Sequence, residues 1–230
     1  TKEEIALVLN ELTLKENREA LSLKTMGPRS LIFPSTNEGS FVLDFAALLP
    51  ILLTITHFVD SNEKEKGVVF EEYVIEKLKD KGFDLWVSQK ELKQEDGTAK
   101  EIDVSFIYKN VLFICDCKSN KMSFVYGTRG DKKSLEHRKR KITDNLRDVD
   151  EQAEWLAKTR QGSNYTIPEQ VEYIVPLVVS PFTEYIWSYS DDLWLTEDIP
   201  RVLLPRELAE LNYDKEIEKI INKGFVRKIN

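Results

Sequence analysis

Two cysteines and two histidines are all that the 230 residues offer of the softer metal ligands. A structural zinc site therefore has too few partners, and a disulfide framework has no material. Cys115 and Cys117 sit two apart in an apolar run, where strand alternation sends both to one face, and they read as buried small hydrophobes. Cysteine usage this sparse sets the expectation of a reducing, cytoplasmic compartment. Histidine-based hydrolysis is also short of parts, because His57 falls in an apolar run and His137 in a basic one, neither beside a nucleophile turn. Long apolar runs are missing too. The longest, 45–59, is interrupted by Pro50 and carries His57; it is short for a bilayer span and reads as core, so no membrane partner is expected.

What the chain has in quantity is charge. With 41% hydrophobic and 32% charged residues it reads as a soluble globular protein of one large domain or a main domain with an appended piece. The net charge of −7 argues against a nucleic-acid binder when taken whole, but its distribution argues the other way. Between 118 and 141, nine bases (Lys118, Lys121, Arg129, Lys132, Lys133, Arg138, Lys139, Arg140 and Lys141) face only Asp131 and Glu136, a local +7 that leaves −14 elsewhere. Such a stretch suits a phosphate backbone; the plainer reading is a solvated loop and helix face.

The stretch that organises the rest is 101–118, EIDVSFIYKNVLFICDCK. Two β-branched, aromatic-rich segments, 102–108 and 111–117, flank Lys109-Asn110, which reads as a hairpin with a tight turn. Pairing Tyr108 with Val111 sets Asp103 opposite Asp116 and Glu101 opposite Lys118. Three carboxylates and one ammonium then share a face, away from Val104, Cys115 and Cys117. Opposed like charges on a strand pair are destabilising unless something offsets them. A divalent cation does so, since Mg²⁺ takes one or two carboxylates, water and substrate phosphate. The adjoining lysine supplies positive charge for phosphate oxyanions, or a proton acceptor if its pKa is lowered.

Residues 1–60 form an accessory segment, with one or two surface helices over 1–25, short strands at 31–33 and 41–43, and a helix after Asp44. Starting at Thr1, the chain is expected to be processed or to continue a longer upstream region. The expected main domain is 61–230. A helix from about Ser61 carries Val68, Val69, Tyr73, Val74 and Leu78 as its apolar stripe and stops at Gly82. A strand follows at 83–88, and a long amphipathic helix runs over 132–158. An apolar strand at 171–179 carries Pro176, which hints at an edge or bulge. Phe124 and Tyr126, among basic residues, suit either base stacking or loop anchoring; Trp187, Tyr189 and Trp194 read as core or cover. A short strand near 201–204 and two helices at 206–211 and 215–223 close the chain.

The order of a helical glutamate, then Ile102-Asp103-Val104, then Asp116-Cys117-Lys118 at the end of an apolar strand resembles the PD-(D/E)XK nuclease superfamily. The upstream helix GVVFEEYVIEKLKDKGF at 67–83 is similar to that of Mrr-type restriction enzymes and archaeal Holliday-junction resolvases. The resemblance covers about residues 64–180; Asp116 stands where these branches commonly have Glu, which the motif allows. It implies an α/β fold, a restriction-endonuclease-like central mixed β-sheet of four or five strands flanked by helices. It also implies metal-dependent DNA endonuclease activity, in restriction, phage defence or repair. Asp103, Asp116 and the Cys117 carbonyl would hold Mg²⁺ or Mn²⁺, with Lys118 catalytic. Glu71, or Glu72 as fallback, would anchor a water or second metal, and Gln152 on the long helix would complete the site. DNA is the implied partner, with a homo-oligomer or a larger complex left open. The alternative is a catalytically inactive module of the same fold that binds nucleic acid or a partner protein.

Overall fold

A computed structural model describes residues 32–34, 40–43, 63–119, 132–184 and 190–229. The chain divides into two compact units, Thr1–Ser61 and Asn62–Asn230. In the first, β1 (Ile32–Pro34) and β2 (Phe41–Leu43) pair antiparallel, Phe33 opposite Val42. The helices expected over 1–25 and after Asp44 lie outside the described residues.

The second unit is a six-stranded mixed sheet between helical layers. Its elements are α1 (Glu63–Asp80), β3 (Asp84–Lys93), β4 (Ala99–Tyr108), β5 (Val111–Cys117), α2 (Lys132–Ala157), β6 (Tyr173–Val179), β7 (Val202–Leu203), α3 (Pro205–Glu210), α4 (Tyr213–Ile221) and β8 (Arg227–Lys228). Strands β3, β4 and β5 form an antiparallel meander, β5–β6–β7 run parallel, and β8 joins β6 antiparallel. The short strand expected near 201–204 is β7, and the sheet exceeds the four or five strands expected because β8 is a two-residue strand too short to show a period.

Alternation along β5 sorts the core. Val111, Phe113, Cys115 and Cys117 pack with Val74 and Leu78 of α1 and with Leu208 and Tyr213 of the C-terminal helices. Leu112 and Ile114 pack with Ile142, Leu146 and Val149 of α2. On α1 the buried stripe is narrower than expected: Val74 and Leu78 are fully buried, whereas Val68, Val69 and Tyr73 are 42%, 63% and 46% exposed. The packing line runs through Phe70, Val74 and Leu78, four residues apart, and leaves the others on the outer side. The helix ends where expected. Phe83 N–H donates to the Leu78 carbonyl and Gly82 N–H to that of Lys79, with Gly82 at φ 79°, a left-handed helix stop that suits glycine.

Pro176 lies inside the sheet, neither at an edge strand nor in a bulge. Val178 and Ser180 N–H donate to Arg201 and Leu203 carbonyls on the β7 side. Two residues earlier, the Pro176 nitrogen points the same way, into the gap between β7 and β8 where no strand pairs. The buried Arg201 guanidinium occupies that gap. It donates to the carbonyls of Pro176 and Asp192, forms an ion pair with Asp150 of α2 and stacks 3.9 Å over the Phe225 ring.

Candidate active site

The hairpin has the register read from its turn: Tyr108 pairs with Val111 and Val104 with Cys115. There the ladder stops. Beyond it β4 stays with β3 as far as Ala99, while β5 stays with β6 as far as Cys117. The two strands fork at Asp103 and Asp116. The face pattern of β4 changes at the same place, since Val104 and Phe106 pack in the α1 layer but Ile102 in the α2 layer. Glu101 consequently lies across from Glu91 of β3 rather than from Lys118, and is exposed; the expected third carboxylate is absent from the cluster.

Inside the fork the acids meet. Asp103 Oδ2 accepts the Cys117 N–H at 2.8 Å, a backbone donor that strand pairing would otherwise have used, and its carboxyl lies within hydrogen-bonding reach of Asp116. Asp116 is 3% exposed; its Oδ1 is 2.8 Å from Lys118 Nζ, and its Oδ2 has no hydrogen-bond partner among the described residues. Burial, then the charge of Asp116, pushes the Asp103 pKa up to about 7, with a further upward contribution from Glu71. Burial also raises Asp116, against the pull of Lys118. For Lys118, burial works downward, but Asp116, Asp103 and Asp148 outweigh it and hold the ammonium above its ordinary pKa.

Glu71 sits on α1, three residues before Val74 and seven before Leu78, hence on the helix face that packs on the sheet. It is half-buried where Glu72 is exposed. Its Oε2 accepts from Gln89 Nε2 at 3.1 Å. Gln152 is half-buried on α2, but the α2 residues that line the small pocket beside Lys118 are Arg138, Lys141, Ile142 and Asn145. Asn145 and Gln152 are two helical turns apart.

Of the basic stretch, Lys121 and Arg129 lie outside the described residues. Lys132, Lys133, Lys139, Arg140 and Lys141 are exposed along the first half of α2. Arg138 departs from that pattern: it is buried and forms an ion pair with Glu184, so its charge is spent inside the protein. Gln89, Asn145 and Asp148 were not singled out from sequence; polar residues on a strand or helix carry no local mark of the site they face.

Two acids in a largely buried fork must hold a proton or gain a counter-charge beyond one lysine, and their oxygen donors suit a hard divalent cation. Among the described residues no group of three or more His, Cys, Asp or Glu side chains is gathered as a metal cluster. The donors that fit are therefore the two carboxylates, with the orphaned Asp116 Oδ2 foremost, plus backbone carbonyl. Water and phosphate would complete such a shell.

An antiparallel meander continued by parallel strands, with helices on both faces and an Asp–Asp–Lys group where the strands part, is the restriction-endonuclease-like architecture of the PD-(D/E)XK superfamily. Within it, the nuclease-related domain (NERD) model matches residues 66–181, just over half the chain, and the protein belongs to that family. No curated protein and no solved structure shows significant similarity to it. A nuclease-related function follows from the family. No helix among the described residues is long and apolar enough to cross a membrane.

Proposed function

We propose that the protein is a Mg²⁺- or Mn²⁺-dependent endonuclease that hydrolyses phosphodiester bonds of DNA. The observation that carries this is the forked pair Asp103–Asp116, with one buried carboxylate oxygen lacking a partner and Lys118 beside it. Asp103, Asp116 and the Cys117 carbonyl would hold the cation, and Glu71 would stand behind a water or a second ion. When bound, the cation supplies Lewis-acid stabilisation at the phosphate and a water of lowered pKa.

Without a cation, Asp116 and Asp103 hold Lys118 protonated against the effect of burial, and the contribution assigned to it is its positive charge. Its charge lies where phosphate oxygens gain negative charge in the transition state, a contribution commonly worth about a hundredfold or more in rate. The Cys117 N–H holds the Asp103 carboxylate in one orientation. Exposed Lys139, Arg140 and Lys141 supply non-specific attraction to the backbone. At the start of the same helix Lys132 and Lys133 oppose the helix dipole, with no acid in the first turn to offset them, and gain from an anionic partner. Restriction, phage defence and repair all require this chemistry, and a cytoplasmic setting suits each.

Supercoiled plasmid incubated with Mg²⁺ or Mn²⁺ tests the reading. Wild type nicks it; Lys118→Ala loses about a hundredfold or more, and Asp116→Asn abolishes the thermal stabilisation by Mn²⁺. Equal cleavage by wild type and Lys118→Ala discards the role given to Lys118. Binding of DNA without cleavage under any metal condition leaves the inactive binding module.

A further inference from the structure

The edge strand β3 breaks its register with β4 between Leu85 and Ser88, after which pairing resumes at Ser88 with Val104 and Lys90 with Ile102. Gln89, between those pairs, lies opposite Asp103. It also stands at φ 48°, in the left-handed region that a residue with a Cβ rarely adopts outside turns. Lys109, the other such non-glycine residue among those described, belongs to the tight hairpin turn and has an ordinary reason for it. Gln89 has no turn to serve. What it has is a hydrogen bond from Nε2 to Glu71 Oε2 at 3.1 Å, which joins the edge strand to α1 across the mouth of the fork.

The bulge itself is held by the Ser105 hydroxyl, which accepts from Val87 N–H and donates to its carbonyl. The left-handed backbone at Gln89 has no such partner among the described residues, and strain of this kind persists where something outside the strand holds it. On the nuclease reading above, we infer that Gln89 is a positioning residue: its left-handed backbone, just past the bulge, turns its amide onto Glu71 and fixes that carboxylate toward Asp103. One Glu71 oxygen is engaged by the amide and the other stays free for the site. The charge of Glu71 is already felt at Asp103, so a carboxylate left to swing would weaken the site without touching either aspartate. A neutral amide suits this task, because it holds the acid without cancelling its charge. Lysine there would neutralise it, and glutamate would repel it.

Gln89→Gly separates the side chain from the backbone. Glycine accepts φ 48° without the steric strain of a Cβ, which offsets its larger entropy loss on folding, so the metal-free variant melts at or above the wild-type temperature. Yet it has lost the grip on Glu71, and both the plasmid-nicking rate and the affinity for Mn²⁺ read from thermal shift fall by about 10- to 100-fold, the usual consequence of removing a partner of a metal-site residue. Gln89→Glu loses at least as much. Combined with Glu71→Gln, the glycine substitution adds little, because the two act as one unit.

Wild-type nicking and Mn²⁺ affinity in Gln89→Gly would overturn the inference while leaving the nuclease intact. So would additive losses in the double variant, or a lowered melting temperature in Gln89→Gly without metal. A wild type that neither nicks plasmid nor responds to Mn²⁺ would instead bring down the nuclease reading, and this inference with it.

Discussion

At the scale of single residues, the acid pair makes stability depend on pH in an unusual direction. Asp103 has its pKa raised from 3.8 to about 7 in the fold. The stability that comes from its protonated form is complete below about pH 4 and is lost as pH climbs through 7; Asp116, also raised, adds in the same sense. Metal-free protein should therefore weaken between these limits, where most acids paired with bases do the opposite. Asp103→Asn keeps an oxygen for the Cys117 N–H and removes the charge. In chelator at pH 8 it should be more stable than wild type by on the order of 2 kcal/mol, and the difference should vanish at pH 4. Parallel melting curves for the two proteins across that range would refute the burial of charge argued here. Lys118 was legible because strand geometry places it two residues past Asp116. Its protonation state was not, since that is a balance of burial against the charges of Asp116 and Asp103, with Asp148 of α2 adding last, and burial is set by the whole fold.

Single elements carry the fold's exposed weak points. The free edge of β3 is covered by the segment after α2. Asn164 donates to the Glu91 carbonyl and accepts from Lys93 N–H, so one side-chain amide stands in for a neighbouring strand. Ser163 N–H donates to the Lys93 carbonyl beside it. This closeness leaves no space at Gly162, where a Cβ would lie 2.2 Å from Tyr165 Cε1 and 2.3 Å from the Lys93 carbonyl oxygen. Gly162→Ala should cost about 1–3 kcal/mol, read by urea unfolding, and raise amide exchange along 90–93; a neutral result would mean that the cover is loose. Helix α2 and the β4–β5 hairpin were readable from sequence because each satisfies its own period over many residues. The fork between β4 and β5 was not, because alternation assumes a ladder that continues. The pairing preference of Asp103 for a backbone N–H ends it.

Across the whole second unit, Arg201 joins parts that no local pattern connects: α2 through Asp150, β6 through Pro176, the turn at Asp192 and the C-terminal segment through Phe225. A fully buried guanidinium depends on its anion. Asp150→Ala should destabilise by about 3 kcal/mol, read by thermal or urea unfolding, and an effect under half a kilocalorie would place the charge in water instead. Nothing in the sequence marks Arg201 apart from other arginines; its role comes from the gap that two very short strands leave beside Pro176. The association with DNA proposed above would also be a property of the whole surface. Lys139→Gln with Arg140→Gln should lower the slope of log affinity against log salt by up to about 2 and weaken all sequences alike. Sequence-selective loss would point to base contacts instead.

Helix α2 has one further implication. Its residues 132–141 hold one acid and six bases, all but the buried Arg138 exposed, and 142–157 hold one base and five acids. A polyanion laid lengthwise along that rod would be welcomed at one end and repelled at the other. The sign changes beside Lys141 and Asn145, which border the pocket of Lys118. On the proposed function, a strand entering the fork would cross the helix like a rope over a rail, with the bond to be cut at the crossing.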